Sequence, residues 1–264
     1  MTSLLALVLG FVVVIGGALS DGDPLSSLCS LTAVIIVICG SLSASMVHFG
    51  MRPVFGSFRA LLWLARPPKY DLRKFVDTIS EWASVARSQG TLALEELIET
   101  VSEPMQRQGL QLIVDNNSAD DVESILSVFS ENEERTQAEV AEVWEAIGGY
   151  SPTIGVMGAV LGLIHVMMRL DHPEELGEGI ATAFVATIYG VGFANLIALP
   201  LGSRLKHLVK ELARERLVVI QGFVLLAEGK PGSAIRQNLG AFLPATAADK
   251  PGGMPEAEAS SIGE

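Results

Sequence analysis

The chain has 264 residues, 49% hydrophobic and only 18% charged, with a mean hydropathy of +0.42 and a formal net charge of −12. That balance excludes an ordinary soluble domain and points to a membrane protein. Most of the apolar residues fall in four runs, at 4–19, 28–47, 147–168 and 180–201, and each is close to the ~20 residues that one helical crossing needs.

The first run has no basic segment ahead of it, and Asp21-Gly22-Asp23-Pro24 behind it reads as a turn. It is therefore expected to be a retained helix rather than a cleaved signal. The second run holds or borders both cysteines, Cys29 and Cys39, for which packing is a better expectation than a disulfide. Arg52, Arg59, Arg66 and Lys69 follow it directly. If 20–27 and 169–179 are the outer loops, they contain only Arg169 of the 18 Lys and Arg residues. Basic loop residues stay on the cytoplasmic side, so both termini are expected there.

Between the second and third runs lies a segment of about 100 residues, 50–149, that carries the acid. From 70 to 150 there are 17 Asp and Glu against five Lys and Arg. Such a surface repels nucleic acid and anionic lipid and suits basic protein surfaces. DLRKFVDTISEWASVARSQG spaces its apolar residues for a helix that ends at Gly90. TLALEELIETVSEP reads as a second helix, capped by Thr91 and closed by Pro104. ADDVESILSVFSENEERTQAEVAEVWEAIGGY reads as a long acidic amphipathic helix that leads into the third crossing.

The third crossing carries Gly155, Gly158, Ala159 and Gly162 on one face. The fourth repeats the device with Gly179, Ala183, Ala186, Gly190 and Ala194. Small faces let helices approach closely in lipid, where association depends on packing. They serve either packing within the chain or a smooth wall against a partner helix or pore, with Thr182 and Thr187 as the polar groups near mid-depth. Thr187 has a third use, bonding back to its own helix. His165 lies inside the third crossing, where ionisable groups are costly and often functional; the plainer reading is an imidazole hydrogen-bonded in the bundle or at the outer interface. No other ionisable side chain lies mid-run, so a carboxylate on an ion path has to come from another chain. SRLKHLVKELARERLVVIQGFVLLAEGKPG extends the fourth crossing until Gly229 to Gly232 stops it, and the tail beyond is rich in Ala, Gly, Pro and Glu. No phosphate loop, metal spacing or nucleophile and base pairing is present, so no enzyme activity, cofactor or metal is expected.

The expected fold is an all-α membrane protein with four transmembrane helices. A large helical cytoplasmic insert separates helices 2 and 3, and a cytoplasmic helix ends the chain. In residues, this is a transmembrane hairpin over 1–49, a cytoplasmic helical domain over 50–149, a second hairpin over 150–202, a cytoplasmic extension over 203–243 and a disordered tail over 244–264.

PTIGVMGAVLGLIHVM and LGEGIATAFVATIYGVGFANLIALP resemble the third and fourth transmembrane segments of the MotA/PomA family of flagellar motor stator proteins. The resemblance covers about residues 1–235 and is most specific over 150–202. ExbB/TolQ proteins resemble the last two crossings but usually have three, and the N-terminal hairpin argues against them. An ExbB/TolQ-like or non-flagellar ion-driven motor is the alternative reading. A lone transporter is disfavoured by the lack of a polar substrate site or broken helix repeat.

The resemblance implies an inner-membrane pentamer around two copies of a MotB/PomB-type subunit that supplies an ion-binding aspartate. Ion passage then drives the pentamer, and the insert pushes on the rotor protein FliG. ARSQGTLALEE is similar to the family's rotor-contacting segment. This assigns the charged contacts to Arg87 and Glu95, with Glu96 and Glu99 as neighbours. The family's coupling prolines correspond to Pro152 and Pro200, each at the cytoplasmic end of its crossing, where proline weakens the backbone ladder and permits a hinge. Sodium-type relatives often carry threonine where this chain has Ala159, facing the ion path with the position of Thr187. A hydroxyl can replace water around a hard cation, and alanine cannot. The expected ion is therefore the proton, with sodium as the alternative.

Overall fold

The computed structural model describes residues 29–68, 70–168 and 173–243, together with Val12 and Gly16. Those two residues apart, the expected first crossing, the expected turn at 21–24, residues 169–172 of the expected outer loop and the tail from 244 lie outside the described residues. Every regular element among the described residues is helical.

Helix α1 (Leu31–Phe49) begins where the Ser30 hydroxyl accepts from the Ala33 amide, and it ends at Gly50. Gly50 has φ of +81°, a conformation that costs glycine little, and the chain turns there into α2 (Met51–Ala60) and the short α3 (Leu62–Ala65). Helix α4 (Leu72–Gln89) is capped by Asp71, whose carboxylate accepts from the Lys74 amide at 3.1 Å, and it stops at Gly90 as the sequence predicts. A 3-10 turn (Thr91–Leu94) leads into α5 (Glu95–Ile98), followed by α6 (Pro104–Val114) and α7 (Ala119–Met167). Helix α8 (Pro173–Gly192), a π-helical segment (Phe193–Ala198), α9 (Leu199–Ala227) and α10 (Gly232–Gly240) complete the described chain.

Several local expectations change. Thr91 sits inside the 3-10 turn, with Gly90 in the capping position. Pro104 opens a helix rather than closing one, because proline fits the first helical turn, where its missing N–H has no partner to lose. The acidic helix and the third crossing form one 49-residue helix with Pro152 inside it. Cys29 and Cys39 are free but exposed on this chain rather than packed within it.

Three helical stretches are long and apolar enough to cross a membrane, namely Leu31–Phe49, Ala119–Met167 and Gly179–Ala227. They correspond to the second, third and fourth expected crossings. Ser41, Ser45 and Ser151, all fully buried, bond back within their own helix. The Ser41 hydroxyl donates to the Val37 carbonyl at 2.7 Å, and that of Ser45 to the Ser41 carbonyl at 2.9 Å, which keeps polar atoms satisfied away from water.

The chain divides into two compact units, Met1–Lys69 with Ser130–Arg214, and Tyr70–Phe129 with Glu215–Glu264. In the first, Val54 and Ala60 of α2 pack with Ala141, Trp144 and Ile147 of α7 and with Ala198 and Leu205. In the second, Phe223 is fully buried among Phe75, Ile79, Trp82, Leu110 and Leu126, with its ring 6.0 Å from Phe75 and 6.1 Å from Trp82. Gly109 leaves the space this ring fills, since a Cβ there would lie 2.6 Å from it.

Candidate functional site

The small residues of the third and fourth crossings meet one another. A Cβ on Gly155 would lie 2.8 Å from the Ala186 carbonyl oxygen and 3.1 Å from Gly190 Cα. One on Gly158 would lie 3.2 Å from Ala186 Cβ and 3.3 Å from the Ile36 side chain, and one on Gly162 would lie 2.9 Å from Ala183 Cβ. Gly190 in turn sits against the Ser151 carbonyl and Gly155. The result is a close antiparallel seam between α7 and α8, and α1 packs beside it through Ala33, Val185 and Ala186. Within this chain, Gly155, Gly158, Gly162, Ala183, Ala186 and Gly190 are therefore used for helix packing.

Ala159 and Thr187 each follow a member of the close Gly158 and Ala186 pair, and both are half-buried at the edge of the seam. His165 is exposed in the last turn of α7. The side chain of Thr182 lies outside what the structure describes.

The two prolines belong to one neighbourhood. Gly190 Cβ, if built, would lie 3.3 Å from Pro152 Cα, and Gly148, one turn before Pro152, packs on Leu199 beside Pro200. Pro152 is half-buried and flanked by hydroxyls that bond back, Ser151 to the Ile147 carbonyl at 2.6 Å and Thr153 to the Tyr150 carbonyl at 2.8 Å. Tyr150 Oη is also 2.9 Å from His48 Nδ1 at the end of α1. Pro200 is exposed and is preceded by the π-helical segment. Its ring and missing N–H disrupt the bond to the residue four earlier, and a wider turn is one way a helix absorbs such a disruption. Asn195 donates its side-chain amide to the Val191 carbonyl at 2.9 Å across this region. Nearby, Lys206 Nζ pairs with Glu145 at 3.0 Å.

Arg87, Glu95, Glu96 and Glu99 are all exposed in the second unit. Arg87 lies in the last turn of α4, and Glu95 and Glu96 lie in the first turn of α5, so each sign sits at the helix end that favours it. Leu92, in the turn between them, is 70% exposed. The four charged side chains are thus exposed around the junction of α4, the 3-10 turn and α5.

The second unit also holds a polar cluster that sequence periodicity overlooks. The Tyr70 hydroxyl donates to Glu103 at 2.9 Å, and the Tyr70 amide donates to Glu215 at 3.0 Å. Glu103 also caps α6 by accepting from the Gln106 amide at 2.7 Å. Burial, and next the neighbouring Glu103 charge, push the Tyr70 phenol up to about 12, against a bond from Arg216 that works the other way. Arg216 is 3% exposed. Its place in the α9 series 205, 208, 212, 216, 219 and 223, otherwise apolar, is the signal that marks it.

Comparison with known proteins gives this arrangement a context. The family model described as the MotA/TolQ/ExbB proton channel family matches residues 97–217. Motility protein A of Bacillus subtilis is 34% identical over 247 residues, covering 92% of this chain and 91% of that protein. Motility protein A of Helicobacter pylori is 32% identical, covering 87% and 90%, and chemotaxis protein PomA of Vibrio alginolyticus is 28% identical, covering 92% and 95%. Among solved structures, C. jejuni MotAB matches with a TM-score of 0.81 and 26% identity, covering 92% of this chain and 95% of that one. The flagellar MotAB stator complex of Bacillus subtilis matches with a TM-score of 0.78 and 33% identity, covering 93% and 97%. The chain belongs to the MotA/TolQ/ExbB proton channel family, on the motility protein A and PomA side of it.

Proposed function

We propose that this chain is the ion-conducting stator subunit of a bacterial flagellar motor that, with a MotB-type partner, couples proton flow across the inner membrane to torque on FliG. The observation that carries the reading is the end-to-end likeness to chains of MotAB stator complexes. It is supported by the three apolar spans; with the first run at 4–19 they make four crossings, both termini and the 50–149 insert being cytoplasmic. Five copies surround two partner helices, whose aspartate carries the proton past Ala159 and Thr187. The close α7 and α8 seam gives each copy a stiff wall. Pro152 and Pro200, with the π-helical segment between them in space, are the places where that wall bends as the carboxylate is protonated and released. Arg87 and Glu95, with Glu96 and Glu99, then meet the rotor. Exposed ion pairs contribute about 1 kcal/mol or less each, which suits a contact made and broken at every step.

The test is deletion of the gene in a strain with no other stator. Filaments are expected to assemble but not rotate, with rotation restored by the gene in trans. Normal rotation, together with loss of an outer-membrane transport activity, would instead support the ExbB/TolQ-like reading.

A further inference from the structure

Between the first described span and the acidic insert lies a stretch of opposite character. Residues 50–68 contain three arginines and no acid, in a chain of net charge −12. Helix α2 and the short α3 are almost continuous, because Leu61 between them has helical dihedrals (φ −59°, ψ −26°). One side of this arm is fixed to the first unit. Val54 and Ser57 are fully buried, the Trp144 indole donates to the Ser57 carbonyl at 3.2 Å, and the Phe58 ring meets Trp144 edge-on at 5.3 Å.

The outward side is then determined, and it is apolar. Met51, Phe55 and Leu62 recur at helical spacing and are 62%, 55% and 70% exposed, with Phe58 at the edge between this side and Trp144. Beside them run Arg52, Arg59 and Arg66, seven residues apart, all exposed and in no ion pair among the described residues. The arm follows a membrane-spanning helix after a single residue, Gly50. It is held against residues 141–147 of α7, where the charged part of that helix gives way to its apolar part.

An exposed apolar stripe flanked by arginines, joined directly to a span, has the pattern of a helix lying in the headgroup layer. There the stripe enters the acyl boundary and the arginines hold anionic phosphates. We infer that α2 and α3 form an anionic-lipid-binding arm, with Met51, Phe55 and Leu62 in the bilayer interface and Arg52, Arg59 and Arg66 on phosphatidylglycerol-type headgroups. Pairing of arm on arm between two copies would set like-charged arginines against each other, and direct continuity with the span through Gly50 alone holds the arm at the depth of the headgroups, which argues for lipid. The inference depends on the membrane reading and not on the rotor or the ion.

The experiment uses the complex of this chain with its MotB-type partner in nanodiscs of equal phosphatidylglycerol and phosphatidylcholine. Lipids retained after mild extraction are counted by mass spectrometry. The wild type is expected to retain phosphatidylglycerol in preference, and R52Q/R59Q/R66Q is expected to lose that preference several-fold. Separately, Phe55→Cys, with Cys29 and Cys39 replaced by serine, carries a bimane label and is challenged with lipids bearing shallow spin-label quenchers. Strong quenching supports the arm, and this reading does not depend on the triple variant assembling. An unchanged lipid ratio in the triple variant, or an unquenched label, would overturn it. So would an efficient Phe55→Cys disulfide between copies, which would make this face a subunit interface. Rotation measured in parallel keeps a failure of the stator reading separate from a failure of this one.

Discussion

Glu103 serves two partners at once, capping α6 and accepting from the Tyr70 phenol. Losing a cap costs about 1 kcal/mol, and a half-buried phenol that loses its acceptor but keeps access to water adds about 1 kcal/mol or less. Glu103→Ala is therefore expected to lower the stability of the second unit by about 1–2 kcal/mol, read as earlier loss of tryptophan fluorescence on heating the assembled complex. The phenol also sets an alkaline limit. Its folded pKa of about 12 lies above its ordinary value of 10.0, so the neutral form is favoured by folding. Its stabilising effect is complete below pH 10 and is lost as pH rises toward 12. Tyr70→Phe is expected to flatten the fall of stability over that window, while an unchanged slope would mean that the half-buried phenol does not stay neutral through it. The cluster was only partly legible from sequence. Arg216 can be found on the apolar series of α9, but its link to Tyr70 and Glu103 joins residues far apart in the chain and leaves no local pattern.

At the level of elements, the seam was the most legible feature, because close helix packing needs small residues at fixed spacing and the sequence displays them directly. What spacing left open was which surface the glycines meet, and the α7 and α8 contacts answer it within one chain. The contacts predict graded effects. A Cβ at Gly155 meets backbone, the Ala186 carbonyl oxygen and Gly190 Cα, whereas one at Gly158 meets the side chains of Ala186 and Ile36. Gly155→Ala is thus expected to reduce assembled complex in membranes much more than Gly158→Ala, as measured by co-purification with the partner subunit. Equal tolerance of both would contradict the seam. Helix boundaries were harder to read. The boundary expected between 149 and 150 leaves no break in the backbone, and α7 runs through Gly148, Gly149 and Pro152, since backbone entering a membrane has to keep its hydrogen bonds internal. The short α10 rests on two fully buried residues, Ile235 and Leu239, too few to announce it. The π-helical segment leaves no compositional mark beyond Pro200. Pro200→Ala restores an N–H and is expected to preserve assembly while lowering rotation speed severalfold.

For the whole molecule, composition and charge placement announced a membrane protein with an acidic soluble portion. The likeness to motility protein A over most of the chain agrees with that. The sequence could not reveal that residues 70–129 and 215–264 form one compact unit, because that unit is assembled from segments separated by two apolar spans. This grouping places the C-terminal α10 against α4, where Arg236 pairs with Asp77 at 3.1 Å, behind the helix that carries Arg87. Reversing Arg87 to Glu or Glu95 to Lys is expected to reduce torque strongly without loss of membrane assembly, measured by bead rotation under load. The central claim is that this chain turns proton flow into rotation. Its most direct test is the speed of tethered cells in which this chain and its partner are the sole stator, recorded while sodium is replaced by potassium at constant proton-motive force and then while a protonophore is added. The account predicts speed unchanged by the cation swap and abolished by the protonophore, and a steep dependence on sodium, or rotation that survives proton collapse, would contradict it.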